Sequence, residues 1–282
     1  VLSIGLLSAF SILAVLWAFS NNLPDYKFLK NYKPSVSSKV YSGDGELVND
    51  FSSEKRIFVP YKSISEKVIN AFLSAEDKNF YSHPGVDAKG VLRAIINNIS
   101  NVVASRRLEG ASTITQQVAK NFLLTNEVSL NRKIKEAILA FRIERALSKE
   151  RILELYLNQI YLGNSAYGVK AAAQVYYGLT LPQLSLAQTA MIAGLPKAPS
   201  TYNPIINPSR ALIRRNWTLR RMSSLKKITE DELLAALSEP VTARFHGQHL
   251  DIDAPYIAEA AREYALEMFG EKAYINGYKV YT

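Results

Sequence analysis

The chemistry within reach of this sequence is carboxylate chemistry. Glu76-Asp77 closes a stretch in which Ile64, Val68, Phe72 and Ala75 keep one apolar face, and it runs into Lys78-Asn79-Phe80-Tyr81-Ser82-His83-Pro84-Gly85-Val86-Asp87. A carboxylate beside apolar Phe72 and Phe80 loses solvation, its pKa rises, and it is suited to take a proton from a hydroxyl near neutral pH. Taken alone, a Glu-Asp pair at a helix end is more often a solvated acid, so the case needs partners.

Those partners stand further along. Gly110-Ala111-Ser112-Thr113-Ile114-Thr115-Gln116-Gln117-Val118-Ala119-Lys120-Asn121 opens a helix with glycine and small hydroxyl residues. Exposed backbone N–H groups and the positive dipole end make such a start an anion site, to which Lys120 adds a point charge. Ser112 and Gln117 are of the right type to hydrogen-bond phosphate or sugar, although an ordinary N-cap accounts for Ser112 equally well. Arg132, Lys133 and Glu136 fall on one helix, with Arg132 and Glu136 four residues apart on the same face. The trio reads either as an exposed salt bridge or as two cations and a second carboxylate beside a pyrophosphate leaving group.

Other chemistries find less. Three histidines, no cysteine and no HExxH leave little for a zinc site or a Cys-His pair. His246 and His249 form an HxxH without a third ligand nearby. There is no GxSxG elbow, P-loop or GxGxxG. Ser52 to Lys55, Ser223 to Lys226 and Ser224 to Lys227 satisfy Ser-x-x-Lys, but no Ser-Asp-Asn or Lys-Thr-Gly follows, so they read as chance.

A mainly α domain must position these groups. Ser63 with Glu66 makes a capping box for the first helix. Further helices are expected over 88–99, 112–124, 130–146, 149–160, 169–177, 182–193 and 208–226. In 180–196 the signals are Thr180 as N-cap, a proline in the first turn, Gly194 at the end and Pro196 beyond it. Thr229 and Glu232 cap another helix, and 256–269 is the last. Short β elements flank this domain: 39–51 with Asp44-Gly45 as a tight turn, 56–61 as a strand, and 273–281 with Asn276-Gly277 as a second hairpin signal.

With 282 residues, 48% of them hydrophobic, the chain can bury one good-sized core. Residues 1–20 carry no charge and no proline, and as a helix they span about 30 Å, one bilayer core. A cleaved signal peptide is the alternative, but its apolar stretch is typically shorter, about 7 to 15 residues. Residues 1–20 are therefore expected to be a transmembrane anchor, 21–62 a connector with a β-hairpin, 63–226 the catalytic domain and 227–282 a linker. Lys27, Lys30 and Lys33 taken alone would put their side of the membrane in the cytoplasm. The net charge of +9, from 34 Lys and Arg against 25 Asp and Glu, suits nucleic acid, lipid head groups or a phosphorylated substrate without choosing among them.

Together the segments resemble glycosyltransferase family 51, the peptidoglycan glycosyltransferases, found alone or as the N-terminal half of class A penicillin-binding proteins. Glu-Asp-x-x-Phe-x-x-His-x-Gly-x-Asp matches at 76–87, Gly-x-Ser-Thr-x-x-Gln-Gln-x-x-Lys-Asn at 110–121, and Arg-Lys-x-x-Glu at 132–136. A fourth match runs from Ile152-Leu153-Glu154-Leu155-Tyr156-Leu157-Asn158 through Tyr161-Leu162-Gly163 to Tyr167-Gly168, and a fifth from Ala193-Gly194-Leu195-Pro196 to Tyr202-Asn203-Pro204. Ala111 departs from the pattern, standing where the family usually has a second glycine.

The resemblance implies a lysozyme-like α-helical fold with a smaller, membrane-embedded jaw. It implies polymerisation of lipid II, with Glu76 as the general base on the acceptor's 4-hydroxyl and Glu136 as the second essential carboxylate. Asp77, Phe80, His83, Ser112, Thr113, Gln117, Lys120, Asn121, Arg132 and Lys133 become expected substrate-binding residues, with Lys120, Arg132 and Lys133 on the pyrophosphate. Glu154, Asn158 and Tyr161 read as structural. No organic cofactor is implied, and Mg²⁺ or another divalent cation has a place near Glu136. The expected partners are lipid II, the growing lipid-linked glycan, the bacterial inner membrane and other cell-wall synthesis proteins; nucleic acid is not among them. The family's inhibitor moenomycin is an expected ligand.

The resemblance places the catalytic domain outside the cytoplasm, opposite to what the three lysines suggest, and so predicts a stronger basic cluster upstream of residue 1. It reads 227–282 as leading toward a transpeptidase, of which these residues carry no active site. A lysozyme-like hydrolase would share fold and glutamate but would not need the cations. A non-catalytic basic module would explain the charge but not five motifs in order.

Overall fold

The computed structural model describes residues 19, 23–32, 38–50, 55–103, 110–125, 127, 129–247, 252, 254–270 and 272–282. The anchor expected over 1–20 therefore lies outside the described residues save Phe19, as do Ser52 of the Ser-x-x-Lys matches and His249 of the HxxH pair. Among the described residues no helix is long and apolar enough to cross a membrane.

Eleven α-helices are described: α1 (Glu66–Glu76), α2 (Ala88–Val103), α3 (Ile114–Leu123), α4 (Leu130–Ala146), α5 (Lys149–Gln159), α6 (Val169–Tyr177), α7 (Leu186–Gly194), α8 (Pro208–Ser224), α9 (Glu230–Ser238), α10 (Pro255–Phe269) and α11 (Lys272–Ile275). The strands are short: β1 (Lys39–Tyr41), β2 (Leu47–Asp50), β3 (Lys55–Arg56), β4 (Ala166–Tyr167) and β5 (Lys279–Tyr281). The chain divides into two compact units, one of residues 1–32 and 76–156, the other of 33–75 and 157–282.

In the first unit α3 packs on α4. Its interior is formed by Phe80, Ile114, Val118, Ala119, Leu139, Ala140, Ile143, Ile152, Leu153 and Tyr156. Helix starts follow side-chain chemistry. Thr113, not Ser112, is the N-cap of α3, where it exchanges hydrogen bonds with Gln116 in a capping box. Ser129 caps α4 by accepting the Arg132 N–H. The turn Lys27–Lys30 and Tyr32 are fastened here too. The Arg151 guanidinium donates to the carbonyls of Leu29 (3.1 Å) and Tyr32 (2.7 Å), and the Tyr32 ring meets Phe122 edge-on at 4.8 Å.

In the second unit α7, α8 and α9 pack around Ala187, Ala190, Leu219, Leu233 and Ala236. Fully buried Arg215 donates to the carbonyls of Leu237 and Glu239, putting a cation on the negative end of α9. Asn158 pairs with both backbone groups of Val59, donating to its carbonyl and accepting its N–H, in line with a structural role. A three-stranded sheet of order β2-β1-β5 is covered by α10 through Val40, Val48, Ala258, Ala261 and Ala265.

Several expected boundaries shift. α1 begins at Glu66, because Ser63 closes a 3₁₀ turn on the Pro60 carbonyl and does not form the capping box. The helix expected over 182–193 is two pieces, since Thr180 caps only a 3₁₀ turn and a second capping box, Ser185 with Gln188, starts α7 afresh. The 56–61 strand shrinks to β3, which pairs in parallel with β4. Asp44-Gly45 does turn an antiparallel hairpin between β1 and β2, with Gly45 at φ +88°. Asn276-Gly277 does not: β5 runs parallel to β1, so its partner comes from the distant N-terminal hairpin.

Candidate active site

Glu76 is the last residue of α1 and is half-buried. Its Oε2 accepts a hydrogen bond from the Gln117 side-chain amide at 3.1 Å. Gln117 reaches it because α3 is locked at its N-terminus onto the segment that follows Glu76. Asp77 Oδ2 accepts the Ile114 N–H at 3.0 Å, and Thr113 Oγ1 donates to the Gly85 carbonyl at 2.5 Å. Tyr156 lies fully buried near the pair. Burial first, and then the Glu76 and Asp77 charges, push its hydroxyl far above the ordinary tyrosine value, so it stays a neutral phenol.

The loop from 77 to 87 is fixed by its own polar groups. His83 Nε2 stands 3.0 Å from both Asp77 oxygens, and the Gly85 N–H donates to His83 Nδ1 at 3.2 Å. An accepting Nδ1 assigns the proton to Nε2. Gly85 has φ +106°, and a Cβ there would stand 2.7 Å from the Ala140 backbone carbonyl, so only glycine lets the loop lie against α4. Asp87 caps α2, accepting from the Gly90 N–H and from the Asn79 amide, each at 2.9 Å.

The second carboxylate is Glu136, 2% exposed, with one oxygen facing Arg132 Nη1 and the other 2.7 Å from Lys133 Nζ. Lys133 also donates to Ser112 Oγ at 2.7 Å. A continuous path of contacts thus runs from Glu76 through Gln117 and α3 to Ser112, Lys133 and Glu136. The salt bridge is not the exposed one the sequence allows, since its acid is buried. Lys120 is half-buried, Asn121 is exposed, and neither side chain has a partner among the described residues.

Four residues expected at the substrate are spent inside the fold. Phe80 is fully buried, edge-on to Tyr81 and under Lys149. Asp77 and His83 are buried and occupied with each other and with the backbone, and Thr113 is a buried cap. Gln117, Ser112, Lys120, Asn121, Arg132 and Lys133 retain exposed surface. Both oxygens of Glu136 face cations, and among the described residues no three His, Asp or Glu gather.

Sequence reasoning missed Lys149, Glu144 and Thr115. Lys149 Nζ donates to the His83 carbonyl at 2.8 Å and to Glu144 Oε1 at 2.7 Å, and Thr115 Oγ1 donates to the same oxygen at 2.6 Å. A signal was present: Glu144 sits in the last turn of its helix and Lys149 in the first turn of the next, each opposed to the helix dipole.

In this helical unit one acid sits on a helix-positioned amide and a cationic pair surrounds a second, buried acid. The transglycosylase family model matches residues 44–223. The chain is 50% identical over 264 residues to penicillin-binding protein 1A of Pseudomonas aeruginosa, covering 93% of this chain and 32% of that protein. With the Rickettsia felis protein of the same name it shares 48% over 270 residues, 95% of this chain and 34% of the other. A crystal structure of penicillin-binding protein 1A from Haemophilus influenzae is similar at a TM-score of 0.52 and 31% identity, over 89% of this chain and 27% of that one. The chain belongs to the transglycosylase family and spans about a third of the length of the curated relatives it matches.

Proposed function

We propose that the chain polymerises lipid II into β-1,4-linked glycan. Glu76 takes the proton of the acceptor N-acetylglucosamine 4-hydroxyl. The oxygen forms its bond to C1 of the donor N-acetylmuramic acid as the C1–O bond to the pyrophosphate breaks. The configuration inverts, undecaprenyl pyrophosphate leaves as an anion, and Glu76 returns its proton to water. Supporting this is the path of contacts from Glu76 to the Arg132–Glu136–Lys133 cluster. Lys120, Arg132 and Lys133 offer the preorganised positive charge that such a leaving group needs. No step is routed through a metal.

Bacterial inner-membrane association, with the catalytic unit on the periplasmic or extracellular side, belongs to the same reading. Leu92, Ile95, Ile96 and Ile99 lie along α2 at 54–66% exposure, an apolar stripe at helical spacing suited to a bilayer surface. The experiment is incubation of the purified chain with lipid II and, separately, with preformed glycan. Lengthening of the former supports the proposal, and shortening of the latter without lengthening overturns it.

A further inference from the structure

Glu144 and Lys149 lie outside the five motif segments, yet they touch two of them. Each is on the wrong end of its helix for the dipole. Each is also largely desolvated, with side-chain exposures of 8% and 22%. A pair in that position is poor value for stability alone, because desolvation offsets most of the attraction and apolar packing does as well. What the pair does is geometric. Lys149 Nζ holds the His83 carbonyl and lies 4.4 Å over the Phe80 ring, so it fixes the loop that follows Glu76. Glu144 Oε1 takes both Lys149 and Thr115, and Thr115 stands in the first turn of α3, two residues before Gln117.

We infer that Lys149 and Glu144 are a positioning pair for glycosyl transfer. They set α3 against the 77–87 loop so that the Gln117 amide meets Glu76 Oε2 and orients the carboxylate. This rests on Glu76 being the base. Neither residue touches substrate, so their loss acts on turnover and leaves ground-state binding alone.

The test uses the full chain with lipid II, at a temperature well below the lowest unfolding midpoint of the set. The variants are Lys149→Met, Glu144→Gln, their combination, Lys149→Arg and Glu76→Gln. Each single neutralising variant is expected to lower kcat by about tenfold or more with KM within about twofold, since small misplacements of a catalytic group cost that much. The combination should cost no more than the worse single change, because the two act as one device. Lys149→Arg should recover part of the loss. Wild-type kcat in folded Lys149→Met and Glu144→Gln, alongside an inactive Glu76→Gln, overturns the pair's role and leaves the base in place. Turnover in Glu76→Gln overturns the base and the inference with it.

Discussion

Asp77 accepts the backbone N–H of Ile114 at 3.0 Å, so the residue next to Glu76 closes the N-terminus of the helix whose Gln117 holds Glu76. Asp77→Ala removes this cap and orphans buried His83. The expected loss is about 2–3 kcal/mol in unfolding free energy, together with lower turnover. Asp77→Asn keeps one oxygen to accept the Ile114 N–H but replaces the other acceptor facing His83 Nε2–H with an amide donor, and should fall between. Urea unfolding and lipid II assays on the two variants check this order.

Gly85→Ala is expected to be costlier than a usual surface glycine replacement. The new Cβ meets the Ala140 carbonyl at 2.7 Å, and φ of +106° is strained for any side chain. A loss of about 2 kcal/mol or more is the expectation. A denaturation midpoint unchanged from wild type would remove the close approach from the explanation.

The α2 cap predicts an acid sensitivity. Burial raises the Asp87 carboxyl's pKa, but the Gly90 N–H, the Asn79 amide and the nearby Arg93 charge outweigh it, so the net value lies below the ordinary one. A depressed folded-state pKa contributes stability that is complete above the unfolded value, about 4. It is lost as pH falls through the folded value. Asp87→Asn should therefore reduce stability at neutral pH and flatten the acid limb of the stability profile. Parallel wild-type and variant profiles down to acid would count against the cap.

At the cationic cluster, Arg132→Ala leaves Glu136 buried with Lys133 alone and should destabilise by about 2 kcal/mol or more. Lys133→Ala removes the more exposed of the two cations and should cost less stability than Arg132→Ala while slowing polymerisation by about tenfold or more. Comparing thermal midpoints with initial rates separates the two. Equal effects of both variants on stability would contradict the assigned division.

The sequence is informative here wherever one segment explains itself. The ends of α4 and α6, the Asp44-Gly45 turn and the Thr229 cap follow from local caps and periodicity. The catalytic candidates also stand out, because carboxylates, glycines and paired cations come in short runs. What the sequence does not reveal is how the polar residues divide between surface and interior. Asp77, Phe80, His83 and Thr113 share their motifs with Glu76 and Gln117, and only tertiary contact shows that they face inward. The β5 partnership was equally hidden, since β1 is more than 230 positions away in the chain. Lys149 and Glu144 left a trace only as charges opposed to their helix dipoles.

The proposed role of Glu76 as base is tested most directly by Glu76→Gln. The amide keeps the size and the contact with Gln117 but cannot take a proton. Polymerisation of lipid II should be abolished while the variant melts as the wild type does and still binds moenomycin. Wild-type polymerisation by folded Glu76→Gln would contradict the assignment of Glu76 as the group that deprotonates the acceptor.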